Sequence, residues 1–419
     1  MSGSEGITAG GVTPYSWSVA VRARASIERH LFRAMCVAAV ACGSDPDPGV
    51  DRYADMRVDL EIGVVEGDRD YVFGEIAGIA LDDGGRVFVA DRSYHTVRVF
   101  DGEGRALFTI GGRGHGPGEL SLPCCVEFDP QGRLWVWSGR DELRYDVFEV
   151  TPAGSVFAFR VPGQALSHPR TRRILFDAEG NVIHPKLIQE GERGIDRITL
   201  NTTQVASATV GTDRGDAPEL RRVHIPYVPP DSFGMYPVNV SFGEETRVLW
   251  NSGPATASHP TLHSPTGGFA DAITSTYRIR WYDDAGQLVR VVDRPIESGP
   301  AYTAEERANM EEDVREERES ISSLADPPHM EVPTHRHPIE TIFFDLAGRL
   351  WVQRSIASAD TIALADVFDP DGTYRMTARW PSRVLLHHGT ITGNTAWGVS
   401  HDELDVPRLA RLRIGPVAR

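Results

Sequence analysis

The stretch that most constrains this chain is Phe128-Asp129-Pro130-Gln131-Gly132-Arg133-Leu134-Trp135-Val136: an apolar residue, an Asp-Pro-x-Gly turn and an alternating apolar run. Such a phrase ends one strand, turns tightly and begins another. It recurs as Leu81-Asp82-Asp83-Gly84-Gly85-Arg86-Val87, as Phe176-Asp177-Ala178-Glu179-Gly180-Asn181-Val182 and as Phe344-Asp345-Leu346-Ala347-Gly348-Arg349-Leu350-Trp351. Asp82, Asp129 and Asp177 are spaced by 47 and then 48 residues. A period of that length, filled by strands, predicts one four-stranded propeller blade per repeat.

A second phrase follows each first one and reads as the outer turn of the same blade: Val99-Phe100-Asp101-Gly102-Glu103-Gly104, Val147-Phe148-Glu149 through Gly154, Trp281-Tyr282-Asp283-Asp284-Ala285-Gly286 and Val367-Phe368-Asp369-Pro370-Asp371-Gly372. The spacing predicts blades over Ile76 to Ile110, Cys124 to Val161, Arg173 to Gly211, Val238 to Val292, Ile339 to Trp380 and Leu386 to Ile414. In the fourth, Phe242-Gly243-Glu244-Glu245-Thr246-Arg247-Val248-Leu249-Trp250 is a degenerate first phrase. The last has only three obvious strands. Its fourth is expected upstream, because Leu60-Glu61-Ile62-Gly63 precedes Asp82 as Phe108-Thr109-Ile110-Gly111 precedes Asp129. Residues 57–64 should therefore close the ring beside the carboxy-terminal strands, removing two open sheet edges. The expected fold is all-β, a six-bladed propeller of four-stranded antiparallel blades closed by an N-terminal strand, with one helical insertion over 295–338.

Repetition also accounts for the length: 419 residues at 41% hydrophobic are too many for most single cores, but each blade needs only its neighbours. A net charge of −16 argues against a nucleic-acid backbone as partner. Lys186 is the sole lysine, which leaves one candidate for Schiff-base chemistry. Four cysteines, Cys36, Cys42, Cys124 and Cys125, fit neither a disulfide framework nor a paired zinc spacing. Cys124-Cys125 is read as two buried thiols in preference to a vicinal disulfide.

At the start, Arg22, Arg24, Arg29 and Arg33 precede the apolar run Ala34 to Ala41 and then Cys42-Gly43-Ser44, the order of an export signal. Ala39-Val40-Ala41-Cys42 resembles the lipobox of bacterial lipoproteins. That resemblance implies residues 1–41 as a signal, acylation of Cys42, a tether over 42–56, a propeller over 57–419, and a bacterial cell envelope location as a membrane-anchored lipoprotein.

Gly78-Ile79-Ala80-Leu81-Asp82 through Arg86-Val87-Phe88-Val89-Ala90-Asp91, then Val97-Arg98-Val99-Phe100-Asp101, then Gly111-Gly112-Arg113-Gly114-His115-Gly116-Pro117-Gly118-Glu119 resembles an NHL-type repeat. The whole is similar to six-bladed propeller lipoproteins of bacteria. The class includes ligand-binding and sensor propellers and a few lyases and lactonases, so the resemblance implies fold more than chemistry.

Strand direction alternates within a blade, so both repeated turns fall on one face and every long loop on the other. That second face is expected to carry function, because loops on a rigid support usually do. Within one of its loops, Thr303-Ala304-Glu305-Glu306 is a capping box opening a helix to about Leu324, with Met310, Val314, Ile321 and Leu324 as a thin apolar stripe. The helix reads as a cover, with a lid as the sharper reading. Candidate ligand-binding residues are Glu127, Arg173, Asn239, Glu340 and His388 on inner strands, with Arg113 and His115 on the first link. His335 and His337 are weak metal candidates; zinc or calcium are the metals considered, and no catalytic residue is assigned. No H-E-x-x-H, G-x-S-x-G or Walker motif occurs. The reading therefore leans away from an enzyme, toward a monomeric module binding a small polar ligand or an envelope protein. Its alternative is a metal-dependent lyase or lactone hydrolase at the central channel.

Overall fold

The structure, a computed structural model, describes residues 52–139, 144–162, 173–176, 180, 182–187, 193–199, 219–225, 235–242, 245–321 and 330–418. The chain divides into two units, 1–41 and 42–419, and all described residues belong to the second. Cys42 and the expected export segment lie outside the described residues. No helix among the described residues is long and apolar enough to cross a membrane.

The architecture is mostly β and propeller-like. Strand β1 (Tyr53–Ile62) comes first. Sheet one is β2 (Ile76–Leu81), β3 (Val87–Asp91), β4 (Thr96–Phe100) and β5 (Ala106–Gly111). Sheet two is β6 (Cys125–Phe128), β7 (Arg133–Ser138), β8 (Arg144–Thr151) and β9 (Gly154–Pro162). Sheet three is β10 (Leu175–Phe176), β11 (Val182–Leu187), β12 (Arg193–Thr199) and β13 (Glu219–Ile225). A two-stranded sheet follows, β14 (Tyr236–Phe242) with β15 (Glu245–Asn251). Sheet four is β16 (Thr261–His263), β17 (Phe269–Ala272), β18 (Arg278–Tyr282) and β19 (Leu288–Asp293). Helix α1 (Ala304–Ile321) lies between sheets four and five. Sheet five is β20 (Ile339–Phe344), β21 (Leu350–Arg354), β22 (Ile362–Phe368) and β23 (Tyr374–Pro381). Sheet six is β24 (Val384–Thr392), β25 (Thr395–His401) and β26 (Pro407–Ile414), completed by β1.

Strand β1 pairs antiparallel with β26 from Met56↔Ile414 to Ile62↔Leu409, as the spacing of the repeats predicts. Its first residues also pair in parallel with β23, Tyr53↔Thr377 to Asp55↔Arg379, so sheets five and six form one eight-stranded order. The carboxy-terminal tail returns to the same strand, with Tyr53 and Ala418 exchanging backbone hydrogen bonds.

The repeated turn has a physical reason. In the three first phrases that carry an arginine the aspartate Oδ1 accepts the backbone N–H four residues on, and Oδ2 accepts the arginine Nε: Arg86 on Asp82 at 2.6 Å, Arg133 on Asp129 at 2.7 Å and Arg349 on Asp345 at 2.6 Å. The glycine before each arginine has φ of 75–78°, which a side chain would resist. Trp135 and Trp351 add an indole N–H to the same carboxylates. One carboxylate thus fixes the turn, the register and, at Trp135 and Trp351, a large core side chain of the next strand.

Apolar residues of successive sheets interleave. Ala80, Phe88 and Val97 of sheet one meet Val126, Leu134 and Phe148 of sheet two. Sheet two packs on Ile174 and Val182 of sheet three, whose Ile183 meets Phe269 and Tyr282 of sheet four. Sheet four packs on five, five on six, and Trp397, Val399 and Leu409 of sheet six pack on Ile76, Ile79 and Val89 of sheet one.

Two boundaries differ from expectation. The outer strand of sheet three is Glu219–Ile225, beyond the expected limit at Gly211. The hairpin around Phe242 to Trp250 forms its own two-stranded sheet, and the fourth four-stranded unit begins at Thr261. Its first turn, Ser264-Pro265-Thr266-Gly267-Gly268, carries neither the aspartate nor the arginine of the motif. Ser264 Oγ takes the aspartate's place, accepting the N–H of Thr266 at 3.2 Å, while Asp284 Oδ1 from the outer turn accepts the N–H of Gly268 at 3.0 Å.

Candidate functional site

In every four-stranded unit the first and third hairpin turns lie at one end of the strands, the middle hairpin and the links at the other. The first strands of the sheets are neighbours: β2 lies beside β6 and β24, and β20 beside β24. The N–H of Leu346, just past β20, donates to Ile391 O of β24 at 3.0 Å.

Two of the first strands carry bulges that lift polar residues off the ladder. Along β20 the register jumps between Ile339 and Thr341, so Glu340 is the extra residue. Along β24 it jumps between Leu385, opposite Val399, and Thr390, opposite Trp397, leaving Leu386 to Gly389 facing Gly398 alone. Gly389 makes this possible, since a Cβ there would lie 1.8 Å from Trp397 O. His387 and His388 ride on this bulge, half-buried, with ring centroids 4.1 Å apart and planes tilted by 70°. Bulges re-aim side chains and commonly adjoin active sites.

Glu340 is exposed and its Oε2 accepts from Ser355 Oγ at 3.2 Å. Glu127 on β6 is 9% exposed and holds Arg173, whose Nε and Nη2 donate to Glu127 Oε2 at 2.9 and 2.5 Å. Arg173 Nη1 donates to Phe344 O at 3.2 Å. One guanidinium therefore spans first-strand positions of sheets two, three and five. It presents a neutralised pair, a strut more than an anion trap, and reaches β20 two residues from the contact that ties it to β24.

The other candidates fall elsewhere. Asn239 lies on β14 of the two-stranded sheet, which removes it from the first strands of the four-stranded units; its side chain lies outside the described set. Arg113 and His115 are exposed on the link between sheets one and two. That link is pinned over the outer strands of sheet two: Arg160 donates to His115 O and Gly116 O, each at 2.9 Å, and Arg144 to Glu119 O at 3.2 Å. Both arginines are held in turn by Asp146, which is buried. His335 pairs with Ala301 in an isolated bridge and its Nδ1 lies 3.0 Å from Thr334 Oγ1. His337 lies beside Gly299, where a Cβ would come 2.6 Å from its carbonyl oxygen. Among the described residues no three His, Cys, Asp or Glu side chains form a ligand set, and His335 and His337 join none. Cys124 and Cys125 form a vicinal disulfide, correcting the preference for thiols; both are buried among Ala77, Trp135, Trp137 and Ile174, where the sulfurs pack as apolar groups.

The helical insertion has the predicted cap. Glu306 N donates to Thr303 Oγ1 at 3.1 Å and Thr303 N to Glu306 Oε2 at 2.9 Å. Glu306 Oε1 also accepts from Arg336 and from Ser358 Oγ. The Ser358 bond, the Thr303 N–H and Arg336 together hold the Glu306 carboxyl down at about 2.

The sequence pairs His387 with His388 at the start of the last inner strand, but it gives Ser355 no place among the candidates and does not announce the bulge that carries the two histidines. The readable signal was Gly389, a glycine inside a strand pattern and therefore a mark of a bulge.

The NHL repeat profile matches residues 73–100, which hold β2, β3 and β4. No curated protein matches the chain by sequence. Similar solved structures include a putative exported protein from Bacteroides fragilis, 11% identical, covering 86% of this chain and 96% of that one, with a TM-score of 0.44. A catalytically inactive virginiamycin B lyase from Staphylococcus aureus with quinupristin is 12% identical, covering 85% and 99%, with a TM-score of 0.38. The PQQ-bound aldose sugar dehydrogenase from Streptomyces coelicolor is 11% identical, covering 86% and 98%, with a TM-score of 0.35. The chain is thus NHL-repeat-like, and at these identities no residue role is carried over. The lean away from an enzyme is nevertheless corrected. It rested on missing linear motifs. In a fold of this kind reacting groups come from separate strands, so a missing linear motif argues little.

Proposed function

We propose that this protein is a closed six-bladed propeller that acts on a small polar substrate at its central channel, as a lyase or hydrolase. The six-bladed reading is supported by six four-stranded units and by packing that runs from each sheet to the next and from the last to the first. The observation that carries the catalytic reading is the two first-strand bulges that bring polar residues, Glu340, His387 and His388, out of the ladder. Imidazole is the side chain best suited to moving a proton near neutral pH. His388, with His387 against it, is the acid–base group in this reading. Glu340 with Ser355 meets donor groups of the substrate, and Arg173 with Glu127 stiffens the floor. No step is routed through a metal.

The test is proton release or ultraviolet change with a panel of small esters, lactones and β-substituted carboxylates. The double variant His387→Ala/His388→Ala should lose about 10²–10⁴-fold in rate on any substrate found, the usual worth of a general acid or base. A variant as active as the native protein sinks the reading.

We further propose that Cys42 is acylated and anchors the propeller to an envelope membrane. The Tyr53 end of β1 lies by Ile414, whose N–H bonds to Asn394 in the turn between β24 and β25. The tether leaves from the edge that carries the short turns, so the loop-bearing side points away from the lipid. Fully extended, residues 42–52 reach about 35 Å. Cys42→Ser should move the protein from the membrane to the soluble fraction on cell fractionation; an unchanged distribution removes the anchor.

A further inference from the structure

We infer that His95 is a pH-sensitive clasp on the link between sheets one and two: the neutral ring holds both ends of residues 112–122 shut, and its protonation releases the end that leads into β6. The clasp is independent of the catalytic reading above.

His95 closes the middle turn of sheet one, immediately before β4. Its φ of 59° is a left-handed conformation, which histidine adopts more readily than most residues with a side chain. Its carbonyl oxygen accepts the N–H of Gly112 at 3.0 Å, where the link begins, and its Nδ1 accepts the N–H of Leu122 at 3.0 Å, where the link ends. Between these points Leu120 N donates to Gly112 O at 2.8 Å and Gly114 N to Leu120 O at 3.1 Å. The link thus folds back on itself, and one residue fastens both its ends.

The two fastenings respond differently to a proton. The carbonyl oxygen accepts whatever the pH. An imidazole nitrogen accepts only while it is bare, so the bond from Leu122 requires the tautomer with its proton on Nε2. A proton on Nδ1 turns the acceptor into a donor and sets two N–H groups against each other. Leu122 is poorly placed to absorb this, because a leucine at a φ of 48° keeps that conformation only while its surroundings impose it. Leu120, fully buried, keeps the middle of the link in place. Release is therefore confined to residues 121–123, next to the Cys124–Cys125 disulfide and the start of β6.

The surroundings of the ring favour its neutral form. Burial, and then the guanidinium of Arg113 within the link, hold His95 below the ordinary histidine range, while Asp91 on β3 opposes them. Asp91 is already engaged: its carboxylate accepts the N–H groups of Gly74, Glu75 and Tyr94 and lies 3.3 Å from Arg98 of β4. A histidine lowered on folding keeps its stabilising contact above the ordinary value of about 6.5 and loses it as pH falls through the lowered one. The clasp is closed at neutral pH and opens on acidification.

The test is amide hydrogen exchange between about pH 8 and about pH 5, a range in which carboxylates stay largely ionised. Protection is taken relative to the unfolded peptide at each pH and resolved to single amides by fragmentation in the mass spectrometer, with β26 as internal reference. Protection of the Leu122 amide should fall about fivefold on acidification, the worth of one hydrogen bond, while that of Gly112 changes little. His95→Asn removes the titration but keeps a residue that tolerates left-handed backbone and offers an acceptor oxygen, so its Leu122 protection should not vary with pH. Constant protection of Leu122 in the native protein overturns the clasp. An equal fall in His95→Asn also overturns it and assigns the effect to His115 or Glu119 of the same link, and a fall shared by β26 overturns it as global unfolding. Should the variant fail to fold, ring-nitrogen NMR of the native protein decides. A neutral His95 protonated on Nε2 that titrates together with the loss of Leu122 protection supports the clasp, and one protonated on Nδ1 overturns it.

Discussion

Removal of Tyr53–Ile62 leaves a chain that is expected not to reach a cooperatively folded state: soluble yield falls, and the remaining material binds a hydrophobic dye and melts without a sharp transition. The strand carries Ala54, Met56 and Ile62, all buried, against the cores of sheets five, six and one. Its loss uncovers the edges of both β23 and β26. It also strands Arg411 and Arg413, which Asp59 holds at 2.8 and 2.9 Å. Point variants grade the effect. Met56→Ala and Ile62→Ala should each cost about 2–5 kcal/mol, as buried large-to-small changes do. Arg57→Ala, on the exposed face of the same strand, should stay within about 0.5 kcal/mol. Equal denaturant midpoints for Met56→Ala and Arg57→Ala would refute the account of β1 as a core strand.

Asp366→Ala is expected to destabilise by about 3–5 kcal/mol, the cost of leaving buried charge without its counterpart. Asp366 on β22 is fully buried and is the meeting point of two sheets. It accepts from Arg354 Nε at 2.9 Å and Thr377 Oγ1 at 2.6 Å within sheet five, and from Tyr277 of sheet four. Arg294, from the link that follows sheet four, lies 2.9 Å away. Burial, with the Asp366 charge beside it, pushes the Tyr277 hydroxyl well above its ordinary range, so it stays a donor throughout the accessible pH range. Alanine would leave two guanidinium groups facing a void between sheets. Asp366→Asn keeps the shape and should cost less. Asp101→Ala, at an exposed turn whose partner Arg105 is 78% exposed, should cost about 1 kcal/mol or less. Chemical denaturation of the three variants orders them; a ranking with Asp101→Ala at or above Asp366→Ala would show that this buried cluster does not hold sheets four and five together.

The parts of the fold that could be read in advance are those where one residue has one physical job. Asp129, Gly132 and Arg133 recur because a carboxylate, a positive φ and a planar donor are all needed to make that turn, and few other sets provide them. The pairing of residues 57–62 followed from the same spacing. Where the job can be done in two ways the pattern fails. Ser264 with Asp284 builds the fourth unit's turn without the motif, and the hairpin at 236–251, which carries a look-alike phrase, drew the assignment away from it. Of the candidate site, the positions of several residues were legible. Glu127, Glu340 and His388 lie on first strands and Arg173 two residues before one, where polar residues stand out against an apolar pattern. Asn239 followed the misplaced fourth unit, and Arg113 and His115 were drawn from a glycine-rich link whose work is to be clamped by Arg144 and Arg160. The bulges themselves are register events between strands, which a linear reading does not display.

The double pairing of β1 bears on how the molecule is made. Asp55 and its partner Arg379 are 324 residues apart, so β1 finds its neighbours only after all the sheets between them in sequence have been synthesised. Contacts of such long range are slow to form and expose strand edges while they wait. Sheets one to four can assemble as they emerge, whereas the joint between the two ends forms last. A nascent chain that stalls after sheet four therefore keeps β1 as a sticky, unsatisfied segment, and the demand for a holding chaperone ends when β26 arrives.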